Sequence, residues 1–124
     1  MQKQESKRIL AVVGDLFFSV KLADAAKRAG LALEFVKDSG EVLEKARLKP
    51  ALIVFDLNFE AASPLDLISR LKAADDTKGI SLLGYVSHVQ GALKQQAHEA
   101  GCDMVLARSA FSQNLTLIFK RHSS

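Results

Sequence analysis

Pro50-Ala51-Leu52-Ile53-Val54-Phe55-Asp56-Leu57-Asn58 decides the fold: an apolar run, Ala51 to Phe55, that ends in an acid. A run this short and this continuously apolar predicts a strand covered on both faces of a sheet. Ile9 to Val13 has the same character and predicts a second such strand. Leu31 to Val36 is interrupted by Glu34 and reads as an edge strand, and Ser81–Val86 and Met104–Ala107 complete a set of five.

Segments of helical period lie between these runs. Val20, Ala23 and Ala26, with Leu22 and Ala29, predict one apolar stripe; Val42, Leu43 and Ala46 predict a second. Leu65, Leu67, Ile68 and Leu71 give a third, and Val89, Ala92, Leu93, Ala97 and Ala100 a fourth. Phe111, Leu115, Ile118 and Phe119 follow the i, i+4, i+7, i+8 spacing of a fifth. Helix starts are marked by Asp38 with Glu41, by Ser63-Pro64 with Asp66, and by Ser87 with Gln90. Gly30 and Gly101 fall where helices should end.

Five alternations of strand and helix predict an α/β fold: a doubly wound, five-stranded parallel sheet of order 2-1-3-4-5 with helices on both faces. The domain is expected over residues 8–124, behind a flexible N-terminal tail, 1–7. In such a sheet the working crevice lies beyond the carboxyl ends of the strands, where the strand order reverses. The residues found there are Gly14-Asp15, Asp56, Ser87 and Arg108.

Bulk properties narrow the function classes. With 124 residues, 48% hydrophobic and 25% charged, the chain suits one soluble core. It has no apolar run long enough for a membrane span, and Met1 to Lys7 lacks the apolar segment of a signal peptide. One cysteine, Cys102, allows no internal disulfide and fits a cytoplasmic setting as a small buried hydrophobe. A net charge of +3, spread along a chain with few aromatics, gives no nucleic-acid signature. There is no Ser-His-Asp order, no phosphate-cradling glycine loop and no dinucleotide fingerprint. His98 and His122 read as surface residues, and only His88 lies beside the crevice.

The stretch Pro50 to Asn58 resembles the third strand of response-regulator receiver domains, which ends in the phosphoacceptor aspartate. Gly101-Cys102-Asp103-Met104-Val105-Leu106-Ala107-Arg108 is similar to the family's fifth strand, usually Gly-Ala-Asp followed by a strand ending in lysine. Arg8-Ile9-Leu10-Ala11-Val12-Val13 resembles the first strand. The resemblance runs from about Arg8 to Arg121 and implies a receiver-like, flavodoxin-like domain with Asp56 at the phosphoacceptor position.

Several positions depart from the family pattern. Receiver domains place two adjacent acids after the first strand to hold Mg²⁺; counted without gaps, Val13 and Gly14 stand there. Asp15 comes one residue late and serves only if the strand is one residue longer. The metal set that the resemblance leaves is Asp15, Asp56 and Asn58, a poor cage for a hard dication, so no cofactor is expected beyond weak Mg²⁺. Ser87 takes the family's Thr/Ser position only if the register slips by one residue; otherwise Val86 stands there. Arg108 replaces the lysine, followed by Ser109 instead of proline. A permanently charged, planar guanidinium in that place predicts an ion pair with Asp56 across the crevice.

The resemblance thus implies a stand-alone, degenerate (pseudo-receiver) signalling module of two-component type. It would not be an enzyme and would act through protein contacts, with phosphorylation at Asp56 reduced or lost. Its partner would be a signalling protein, such as a histidine kinase, with neither nucleic acid nor membrane involved. The resemblance also allows a homodimer through the fourth and fifth helices and the fifth strand, with Leu117 on the outer side of the last helix. Two alternatives stay open: a conventionally phosphorylated single-domain response regulator, and a small enzyme or ligand-binding domain on the same fold.

Overall fold

A computed structural model describes residues 7–87 and 91–123. The elements run β1 (Arg8–Val12), α1 (Leu16–Ala29), β2 (Ala32–Phe35), α2 (Ser39–Ala46), β3 (Leu52–Asp56), a 3₁₀ turn (Glu60–Ala62), α3 (Pro64–Ala73), β4 (Ser81–Val86), α4 (Gly91–Ala100), β5 (Met104–Ala107) and α5 (Arg108–Arg121). All strand pairs are parallel and their order is β2-β1-β3-β4-β5, the predicted doubly wound sheet. β3, fully buried along its length, sits at the centre, and β2 lies at an edge.

Alternation along the strands divides the interior in two. Ile9, Ala11, Val54, Leu83 and Tyr85 face α1 and α5, where they meet Phe18, Leu22, Phe111 and Phe119. Leu10, Val12, Ile53, Phe55 and Leu82 face the other side, against α2, α3 and α4. Each large apolar side chain so covered contributes about 1.5–3 kcal/mol. On the first face, the rings of Phe18, Tyr85 and Phe111 cluster with centroids 4.8–5.7 Å apart.

Local chemistry sets the helix ends. The Asp38 carboxylate accepts the Glu41 N–H at 3.0 Å, as its spacing predicts. Gly30 ends α1 at φ +74°, a conformation that costs glycine little. Ser63 precedes Pro64 as predicted, but with φ +51° its side chain makes no capping hydrogen bond. The Ser87–Gln90 cap, His88 and Val89 involve residues outside those described.

The first helix departs from its predicted stripe. Its buried residues are Phe18, Leu22, Ala25 and Ala26, whereas Val20 is 66% exposed and Ala23 also faces solvent. Leu16, Phe17 and Val20 are all exposed, and Leu16 and Val20 share an uncovered apolar surface with Phe35 at the sheet edge. A hollow of about 380 Å³ lies between Leu16, Val20, Ala23 and Phe35. Among the described residues, no helix is long and apolar enough to cross a membrane.

The edge strand and the floor of the sheet are tied by charge. Glu34 on β2 accepts from Arg8 of β1 at 2.8 Å and also bonds Lys45 of α2. Those bonds, that to Lys45 foremost, hold the Glu34 carboxyl below its ordinary range. At the end opposite the crevice, Lys72 of α3 donates to the carbonyls of Lys78 and Ile80 and to Asp103, which also accepts the Leu82 N–H. Cys102 is buried beside it, and burial pushes its thiol up to about 11.

Candidate functional site

The crevice is assembled where β1, β3, β4 and β5 end. β1 stops at Val12, so the strand is not extended toward Asp15. Val13 is buried and Gly14 is exposed. Asp15 is instead the N-cap of α1. Its Oδ1 accepts the N–H groups of Phe17 at 3.0 Å and Phe18 at 3.2 Å. Its Oδ2 is held by the guanidinium of Arg108, the first residue of α5.

This pairing corrects the expectation that Arg108 binds Asp56. Asp15 projects from the mouth of α1 directly toward the end of β5, and its second oxygen is free for a planar donor once the helix N–H groups hold the first. The guanidinium also lies over the Phe18 ring, 5.1 Å from its centroid. Arg108 reaches Asp56 only through space.

Asp56 ends β3 and is 8% exposed. Its Oδ1 accepts the Asn58 N–H at 3.0 Å. Desolvation raises its carboxyl above the ordinary range; the Asn58 N–H opposes that shift, the nearby Asp15 charge adds to it, and Arg108 opposes it. Asn58 in turn accepts the Ser87 N–H at 2.8 Å. Ser87 therefore lies beyond the end of β4, tied to the crevice through its backbone, and the preceding Val86 is buried. Ser87 and Arg108 also line a hollow of about 540 Å³ with Phe18, Lys21, Ser109 and Ser112.

Three participants were not singled out by the sequence. Phe59, in the loop after β3, packs on Gly14 so closely that a Cβ there would stand 2.8 Å from its ring. Phe18 supplies the face under Arg108. Tyr85 is buried beneath the crevice, its hydroxyl without a hydrogen-bond partner in the structure and its ionisation suppressed by burial and by the charges of Asp56 and Asp15. The one available signal was the loop Asn58-Phe59, an aromatic directly after the crevice strand.

The donor set does not fit a resident dication. Asp15 has both oxygens engaged, Gly14 offers no carboxylate, and the Phe59 ring covers the space beside it. Among the described residues, no group of three or more His, Cys, Asp or Glu side chains is placed to hold a metal. Asp56 and Asn58 remain as oxygen donors, each already accepting a backbone N–H.

Fold and crevice together define a doubly wound domain with one buried aspartate at the head of its central strand and a cation at the end of the fifth. The fold is that of response-regulator receiver domains. It is 36% identical over 110 residues to the acid tolerance regulatory protein ActR of Rhizobium meliloti, a match covering 82% of this chain and 57% of ActR. The ActR of Sinorhizobium medicae matches to the same extent. The chain thus spans little more than half the length of these curated relatives. A response regulator from Hahella chejuensis superposes with a TM-score of 0.84 at 21% identity, covering 94% of this chain and 95% of that one. A Burkholderia pseudomallei response regulator, solved with a phosphorylated aspartic acid, a calcium ion and citrate, gives 0.74 at 27% identity over 89% of this chain and 64% of that one. No protein-family model matches the chain.

Proposed function

We propose that this receiver domain works in two-component signalling through protein–protein contacts, with phosphorylation at Asp56 reduced or lost. The observation that carries the reading is Phe59 seated on Gly14. An aromatic ring fills the space beside a position that has no carboxylate, so no second acid joins Asp56 there. Phosphoryl transfer to a carboxylate needs it ionised and reachable, and needs the added charge offset. Asp56 is buried, and its carboxyl is shifted toward the neutral form.

Exposed apolar side chains support the contact role. Leu16, Phe17 and Val20 stand out on α1, and Met104 and Leu117 are exposed on β5 and α5. The latter pair favours self-association through α4, β5 and α5, and a histidine kinase or another cytoplasmic signalling protein is the natural partner. One observation favours the conventional reading as a phosphorylated regulator: Asp56 closes the central strand with a fixed cation nearby.

The deciding experiment is incubation with a small phosphodonor and Mg²⁺ followed by intact mass measurement, with Asp56→Asn as control. The protein is expected to remain unmodified. A phosphoryl adduct in the wild type that is missing from Asp56→Asn would overturn the reading in favour of the conventional one.

A further inference from the structure

We infer that Arg108 is a built-in counter-ion that takes the electrostatic place of a divalent cation in this crevice, so that the crevice excludes dications until the guanidinium is removed. The inference deepens the reading above, resting on the same crevice, but it concerns cation binding and is tested without phosphate.

The geometry is specific. Asp15 and Asp56 are close enough for the charge of one to raise the carboxyl of the other. Two neighbouring carboxylates, one capping α1 and one ending β3, are stabilised by a positive charge beside them. Arg108 supplies it from the first turn of α5, bonded to Asp15 Oδ2 and also acting on Asp56 through space. An arginine stays charged at every accessible pH, so this counter-ion does not dissociate.

Its seat is also fixed. The Phe18 ring lies under the guanidinium, and the N–H groups of Phe17 and Phe18 hold the other oxygen of the same carboxylate. A dication entering between Asp15 and Asp56 would have to break the Arg108–Asp15 pair and then sit beside the displaced guanidinium. Removing the guanidinium reverses both penalties at once. It frees Asp15 Oδ2 and leaves two carboxylates without a cation between them, the arrangement that attracts a hard divalent ion.

The test is titration with Mn²⁺ by calorimetry, together with paramagnetic broadening of backbone amide signals near Asp15 and Asp56. Wild type should show no saturable binding in the millimolar range. Arg108→Ala should gain a saturable site, with affinity higher by about tenfold or more. Adding Asp15→Asn should abolish the gain. If Arg108→Ala fails to fold, Arg108→Gln, which keeps length and hydrogen-bonding capacity without charge, makes the same comparison. Wild-type saturation below millimolar overturns the inference on its own. A folded Arg108 variant that gains nothing overturns it equally. A wild type that excludes Mn²⁺ yet accepts phosphate would overturn the preceding reading and leave this one standing.

Discussion

Arg108 and Asp15, 93 residues apart in sequence, are bound to each other across the crevice, joining the start of α5 to the cap of α1. Asp56, the partner that the sequence suggests, is linked to that pair only by charge. A double-mutant cycle in urea should therefore find coupling of about 1 kcal/mol between Asp15 and Arg108. The side chains are 27% and 37% exposed, so screening keeps the value well below that of a fully buried pair. Coupling between Asp56 and Arg108 should be smaller. Asp15→Ala should cost about 1 kcal/mol more than the pair alone explains, because it also uncaps α1. The opposite ranking of the two couplings would contradict the observed pairing.

Asp56 should make stability depend on pH in a defined sense. Its folded-state carboxyl is raised above the unfolded value of 3.8. Between those two values the native state holds more protons than the unfolded state, so stability falls as pH rises through the window. Above it, a buried charged carboxylate remains a constant cost. Asp56→Asn should then stabilise the domain at pH 7, and the gain should vanish below the unfolded value. Urea unfolding of both proteins from pH 3 to 8 measures the difference, and a gain that persists at acid pH would show another origin.

Gly14 and Phe59 should behave as one unit. Gly14→Asp places a Cβ 2.8 Å from the Phe59 ring, a clash that should cost about 1–3 kcal/mol. Phe59→Ala in the same chain should remove most of that cost, leaving the loss of Phe59 packing. Thermal or urea unfolding of the three variants decides; additive penalties would mean that the ring moves aside freely.

Phe17 and Phe18 are neighbours with opposite fates. Phe17 is 84% exposed and Phe18 only 2%. Phe17→Ser should shift stability by no more than about 0.5 kcal/mol. Phe18→Ala should cost about 3–5 kcal/mol, since it empties the space between Tyr85 and Phe111. Equal effects in chemical denaturation would refute the orientation of α1.

That orientation shows where sequence reading stops. The sheet was legible because Leu52 to Phe55 and Ile9 to Val12 carry no polar residue on either face, which only a central parallel strand tolerates. The last helix was legible for a related reason: one stripe of Phe111, Leu115, Ile118 and Phe119 leaves no competing face. In α1, apolar residues occupy two faces. Leu16, Val20 and Ala23 share one helical spacing, while Phe18, Leu22 and Ala25 share another. Period alone cannot choose between them; the aromatic bulk of Phe18 against Tyr85 does.

The strand ends were legible in the sequence, because they follow from strand order. The pairing of Asp15 with Arg108 was not, because it depends on how far α1 and α5 stand from each strand end. A β1 ending at Val12 turns Asp15 into a helix cap, and a helix cap faces Arg108. Phe59 lay in a loop whose path no periodicity describes.

Cys102 carries a consequence for experiment. It is the chain's single thiol, 5% exposed, its sulfur directed at the carbonyls of Leu82 and Met104. With a pKa of about 11, roughly one thiol in ten thousand is ionised at pH 7. An alkylating reagent therefore meets almost no thiolate until β4 and β5 part. The residue is a clock built into the native chain. Its labelling rate in excess reagent counts openings of that sheet edge, at the end of the strands remote from Asp56, with no foreign probe introduced.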